Sequence, residues 1–132
     1  MPLTRIDHVQ IAMPPGGEEA ARGFYRDLLG LSEEPKPAEL AARGGCWFRS
    51  DAVRIHLGVE AEFRPARKAH LALRVAGFDG LVAALRESGC AVREDGTFEG
   101  AARIYVDDPF GNRLELIANG QTPAVAPAQA GA

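Results

Sequence analysis

Apolar and polar residues alternate in two short runs that share a layout. In HVQIAM, residues 8–13, Val9, Ile11 and Met13 fall on one side and His8, Gln10 and Ala12 on the other; in HLALRV, residues 70–75, Leu71, Leu73 and Val75 oppose His70, Ala72 and Arg74. A period of two is that of a half-buried strand. After each run the period lengthens. Ala21, Phe24, Tyr25, Leu28 and Leu29 sit at i, i+3, i+4, i+7 and i+8 before Gly30, and Phe78, Leu81, Val82 and Leu85 form a similar stripe before Gly89. One-faced helices stopped by glycine are predicted at both places. Three strand candidates follow each helix: residues 31–36, 45–50 and 53–59, then 91–95, 102–107 and 113–118.

The chain therefore spells βαβββ twice. His8 and His70 on the first strands are 62 residues apart, and His56 and Glu115 on the last strands are 59 apart. A repeat of this length marks a duplicated supersecondary unit, each copy burying its apolar strand face under its own helix. The predicted fold class is α+β: two tandem βαβββ modules, about 4–59 and 68–118, forming one domain of curled mixed sheet with helices on the outer face. Residues 60–67, charged and interrupted by Pro65, read as the linker. Residues 119–132, rich in Pro, Ala and Gly, read as a flexible tail. Asp108 to Asn112 is turn chemistry ahead of the last strand, since Pro109 presets φ and Gly111 accepts a positive one. PPGG at 14–17 is a turn before the first helix, with Glu18 and Glu19 at its positive end.

Composition narrows the partners. A chain of 132 residues with 46% hydrophobic and 25% charged residues can build a core, and 15 basic against 18 acidic residues give a net charge of −3. That balance makes no electrostatic case for nucleic acid or an anionic membrane, which leaves a small-molecule substrate as the expected partner. No apolar run approaches a membrane span and the start lacks an export signal, so a cytoplasmic location is expected. Cys46 and Cys90 lie outside any CxxC spacing and read as reduced thiols in apolar space.

The strand faces opposite the core carry His8, Gln10, Arg54, His56, His70, Arg74, Arg103, Tyr105 and Glu115. Polar residues there ordinarily meet solvent. Yet all three histidines take such positions, which alternation alone gives about one time in eight, and they fall at equivalent places in the repeat. If the copies pack with pseudo-twofold symmetry, His8, His56, His70 and Glu115 converge from four strands. Imidazole and carboxylate are donors for Zn²⁺, Fe²⁺, Mn²⁺, Ni²⁺ or Co²⁺, and a partly filled coordination sphere suits chemistry at a carbonyl, enolate or alkoxide oxygen. His56 reads either as a fourth ligand or as a general acid/base, its ordinary pKa lying near neutrality. Gln10, Trp47, Arg103 and Tyr105 are candidates to contact substrate; ordinary packing at a sheet or dimer contact is the competing reading for Trp47 and Tyr105.

IDHVQIAM, FYRDLLGL, HLALRV and VDDPFGNRLELI together resemble the vicinal oxygen chelate superfamily over roughly residues 4–118, the last segment being close to its DPxGNxxEL ending. That superfamily includes glyoxalase I, fosfomycin resistance thiol transferases, extradiol dioxygenases, methylmalonyl-CoA epimerase and bleomycin-binding proteins. The resemblance implies paired modules forming a cleft around a divalent ion, commonly in a homodimer. It implies His8, His70 and Glu115 as metal ligands, the set of the thiol transferases. His56 stands where glyoxalase I has a carboxylate that both ligates and shuttles protons, a departure from plain glyoxalase I. The expected function is a metal-dependent lyase, isomerase, dioxygenase or thiol transferase; the alternative is a metal-independent binder of the bleomycin-resistance type.

Overall fold

The computed structural model describes residues 1–120; from residue 121 the expected tail lies outside the described residues. The predicted α+β class with two βαβββ modules is what forms: two four-stranded sheets with the same strand order. The chain divides into two compact units, one of residues 1–66 with the turn Pro109–Asn112, the other of Arg67–Asp108 with the chain from Arg113 onward.

In the first unit β1 (Val9–Met13) leads to a helix that begins as α1 (Glu18–Ala21) and continues as a π-helical segment, Arg22–Leu28. Then come β2 (Ser32–Glu34), a short α2 (Ala38–Ala41), β3 (Cys46–Ser50) and β4 (Val53–Val59). The sheet order is β1-β4-β3-β2, with β1 parallel to β4 and the other pairs antiparallel. Its core holds an aromatic cluster among aliphatic side chains. Tyr25 and Phe48 are fully buried and stack at 5.7 Å, and Phe24 meets Tyr25 edge-on at 5.0 Å. The π-helical stretch departs from the uniform α-helix predicted. Leu29 N–H reaches the carbonyl of Phe24, five residues back, at 2.9 Å, and Gly23 weakens the α preference inside it. α2 is a single turn, too short to leave a periodic signal.

The Pro109–Asn112 turn does more than reverse the chain. Asn112 is 1% exposed; its Nδ2 donates to the Ala12 carbonyl at 3.0 Å and its Oδ1 accepts from Ala66 N–H at 2.8 Å. One side chain thus holds the end of β1 and the linker, satisfying backbone groups that would be costly to leave bare.

The second unit comprises β5 (Leu71–Val75), α3 (Phe78–Glu87), β6 (Val92–Phe98), β7 (Ala101–Asp107) and β8 (Arg113–Ala118), ordered β5-β8-β7-β6 with β5 parallel to β8. Here the core is aliphatic: Leu85, Ile104, Val106, Leu114 and Leu116 are buried. β6 runs three residues past the predicted 91–95, through an irregularity between Glu94 and Thr97. Both helices end at the predicted glycines, Gly30 at φ 80° and Gly89 at φ 87°. No helix among the described residues is long and apolar enough to cross a membrane.

Two sequence expectations need correction. His8 and His70 are not within strands; each immediately precedes one, since β1 starts at Val9 and β5 at Leu71. The last strands are also not simply half-buried, because His56 is only 8% and Glu115 only 7% exposed. The solvated-face reading therefore does not hold for these two residues.

Candidate functional site

Strand register assembles matching rows of side chains in the two units. In the first, Gln10 pairs with His56, His56 with Trp47, and Trp47 with Glu34. In the second, Ala72 pairs with Glu115, Glu115 with Tyr105, and Tyr105 with Arg93. His8 and His70 each stand two residues before the first member of their row, and each side chain reaches that row, at His56 and at Glu115. Position for position, His56 corresponds to Glu115 and Trp47 to Tyr105.

The first unit brings three rings together. The His8 ring lies 4.0 Å from that of His56 at an interplanar angle of 17°, and Trp47 lies 4.0 Å from His56 at 5°. Burial, then the neighbouring His8, pushes the His56 pKa below the ordinary histidine value, which keeps this imidazole neutral with its lone pair available. No hydrogen bond engages its ring nitrogens among the described residues. His8 Nδ1 is 2.9 Å from Asp7 Oδ1. A carboxylate only accepts, so Nδ1 carries a proton, and in a neutral ring Nε2 is the nitrogen with the lone pair. That hydrogen bond in turn lowers the Asp7 pKa.

The second unit is built from charges. His70 Nε2 lies 3.0 Å from Glu115 Oε1, and Arg103 Nη1 donates to Glu115 Oε2 at 3.1 Å. Arg103 is itself anchored, its Nη2 donating to Asp95 Oδ2 at 2.9 Å while its guanidinium packs over Phe98 and Tyr105. Tyr105 meets the His70 ring edge-on at 5.7 Å.

The structure therefore gathers His8, His56 and Trp47, with Gln10 next in the row, in one unit, and His70, Glu115, Arg103 and Tyr105 in the other. Among the described residues, no group of three or more His, Cys, Asp or Glu side chains is arranged to hold a metal ion; each unit presents a pair. Three supporting groups were not singled out from sequence. Asp7 was legible as the carboxylate preceding His8. The Lys68 carbonyl, an acceptor on the backbone, leaves no sequence signal, and Asp95 is brought to Arg103 by the β6–β7 pairing.

The donors fit a divalent cation at the His70–Glu115 pair. His70 Nδ1 is 2.8 Å from the Lys68 carbonyl, which can only accept, so Nδ1 bears the proton. In a neutral ring Nε2 then points a lone pair at a carboxylate oxygen, two acceptors at contact distance. Arg103 already places positive charge at Oε2; at Oε1 a proton shared with Nε2 or a metal ion would reconcile the two facing acceptors. A divalent ion bound here would take His70 Nε2 and Glu115 Oε1, 3.0 Å apart, as two of its ligands. Backbone support of the ligand's other nitrogen is the usual outer support of a metal-binding histidine.

Paired βαβββ modules with imidazole and carboxylate on the last strands define the class. A family model described as a glyoxalase-like domain matches residues 11–117, and the chain belongs to that family and to the vicinal oxygen chelate superfamily. A glyoxalase family protein from Bacillus anthracis is 47% identical, with a TM-score of 0.83, the alignment covering 89% of this chain and 97% of that one. A glyoxalase/dioxygenase from Nostoc punctiforme is 27% identical, TM-score 0.68, over 85% and 90% of the two chains. A fosfomycin resistance protein from Listeria monocytogenes, 14% identical with a TM-score of 0.72 over 89% and 95%, shares the fold. No curated protein sequence matches the chain.

Proposed function

We propose that the protein is a divalent-metal-dependent enzyme of the glyoxalase/dioxygenase type, acting on a small oxygenated substrate by lyase, isomerase, dioxygenase or thiol-transfer chemistry. The observation that supports this reading is the His70–Glu115 pair, whose facing acceptors a divalent ion would reconcile. His70 and Glu115 would be two ligands; His8, its Nε2 left free by Asp7, is the third that the superfamily resemblance assigns. A divalent ion held at His70 and Glu115 would supply Lewis acidity toward a substrate carbonyl or enolate oxygen. Arg103 holds Glu115 Oε2 and leaves Oε1 as the donor. His56, neutral and without a hydrogen-bond partner among the described residues, is suited to take a proton from a carbon acid at a ring nitrogen. The superfamily habit of dimerisation extends the proposal to a homodimer, which light scattering tests directly.

One observation favours a second reading, a binder that works without metal. Both Glu115 oxygens already have partners, and protonated His70 would satisfy the pair with no ion. Elemental analysis of protein purified without chelator, followed by calorimetric titration with Mn²⁺, Fe²⁺, Ni²⁺ and Zn²⁺, separates the two. Stoichiometric binding that His70→Ala abolishes supports the enzyme; absence of binding by every ion, in a folded protein, defeats it.

A further inference from the structure

The first unit holds a cavity of about 240 Å³, lined by Gln10, Lys36, Leu40, Arg43, Trp47 and Gly58 together with Gly44, Leu57 and Val59. Its floor and rim differ in chemistry. Trp47 and Leu40 supply its apolar side chains. Gln10 lies across Gly58 so closely that a Cβ there would meet its Nε2 at 2.7 Å, and its carboxamide has no hydrogen bond among the described residues. The missing side chain at Gly58 is thus what lets a polar group lie flat on the strand.

No carboxylate lines the cavity, but two cations do. Lys36 donates to the Gly44 carbonyl, and Glu18, whose Oε2 is taken by Gly45 N–H at 2.8 Å, partly offsets its charge. Arg43 is different. Arg22, Arg49, Arg54 and Arg103 each face an acidic side chain, whereas the Arg43 guanidinium makes no ion pair or side-chain hydrogen bond among the described residues. A rim with an uncompensated guanidinium, an ammonium and a free carboxamide offers donors to a group that only accepts.

We infer that this cavity is a subsite for an oxyanion-bearing fragment of the substrate, a carboxylate or phosphoryl group on a small apolar body that packs against Trp47. The inference deepens the proposed function and rests on it for the word substrate. Its volume falls below the usual range of whole-ligand pockets, so it suits part of a molecule. Gly58 and His56 share a face of β4 two residues apart, roughly 7 Å along the strand, which sets the remainder of a bound molecule beside the imidazoles.

Trp47 is the chain's single tryptophan, so its fluorescence reports on this cavity. Titration of the whole protein with benzoate, phenyl phosphate and neutral benzamide, at low ionic strength where charge is least screened, provides the test. A saturable response to one or both anions, at least about tenfold tighter than to benzamide and weakened about tenfold by Arg43→Ala, is expected; which anion binds tighter tells carboxylate from phosphoryl. Equal affinity for benzamide, an unchanged Arg43→Ala protein, or no saturable response overturns the subsite. Metal titration of the wild-type protein alongside the anion titrations keeps the two ideas apart: metal bound without anion selectivity removes only the subsite, and anion selectivity without metal binding removes the metal-enzyme reading.

Discussion

The two modules share a strand order and a register but solve the same position differently. In the first, the side chain that meets the leading histidine is His56, and the pair is held by ring stacking at 4.0 Å. In the second it is Glu115, and the pair is held by charge at 3.0 Å, with Arg103 behind it. A neutral His56 ring keeps a lone pair available for a proton; a facing imidazole and carboxylate gather positive charge. Duplication thus yields one half suited to acid/base work and one suited to a cation. The cores diverge in parallel, aromatic around Tyr25 and Phe48 and aliphatic around Leu85 and Leu114.

The largest effect should come from the aromatic core. Phe48→Ala is expected to cost about 3–5 kcal/mol, against about 2–5 kcal/mol for Leu85→Ala, both read from urea unfolding; a Phe48→Ala loss under half the lower figure would mean that the stacked cluster is not what stabilises the first module. On the site, His70→Ala should weaken divalent-metal affinity by at least about a hundredfold while far-ultraviolet circular dichroism is retained. An equal loss from His56→Ala would erase the division of labour between the modules.

Asn112→Ala removes two hydrogen bonds to backbone groups, and a loss of about 2–3 kcal/mol is expected; a change within error would show that water replaces the amide at no cost. His56→Glu makes the first module's pair resemble the second's, and calorimetry should find divalent affinity raised by about tenfold. Unaltered or weaker binding would count against the equivalence of His56 and Glu115.

The smallest effect is one of pH. Because the folded-state pKa of His56 lies below that of the unfolded chain, unfolded protein takes up the proton first. The stability tied to the neutral ring is intact above the ordinary histidine value and is lost as pH falls from there through the folded value. In chelator-treated protein, the drop in melting temperature between about pH 7 and about pH 5 should be larger for wild type than for His56→Gln. Identical drops would mean that the ring is not held neutral.

Much of this was legible in the chain. The alternation of HVQIAM and HLALRV, the helical stripes before Gly30 and Gly89, and the DPFGN turn determined two βαβββ modules and which strand faces carry His56 and Glu115, because strand and helix periods follow from local backbone geometry. Local geometry does not set what a side chain meets across strands. The burial of Glu115, the approach of His70 Nε2 to it, the occupation of Arg103, the stacking of Trp47 on His56, and the reach of Asn112 to Ala12 and Ala66 all depend on pairing between distant segments. Only the tertiary structure could decide them, since register and long-range packing choose which donors face which acceptors.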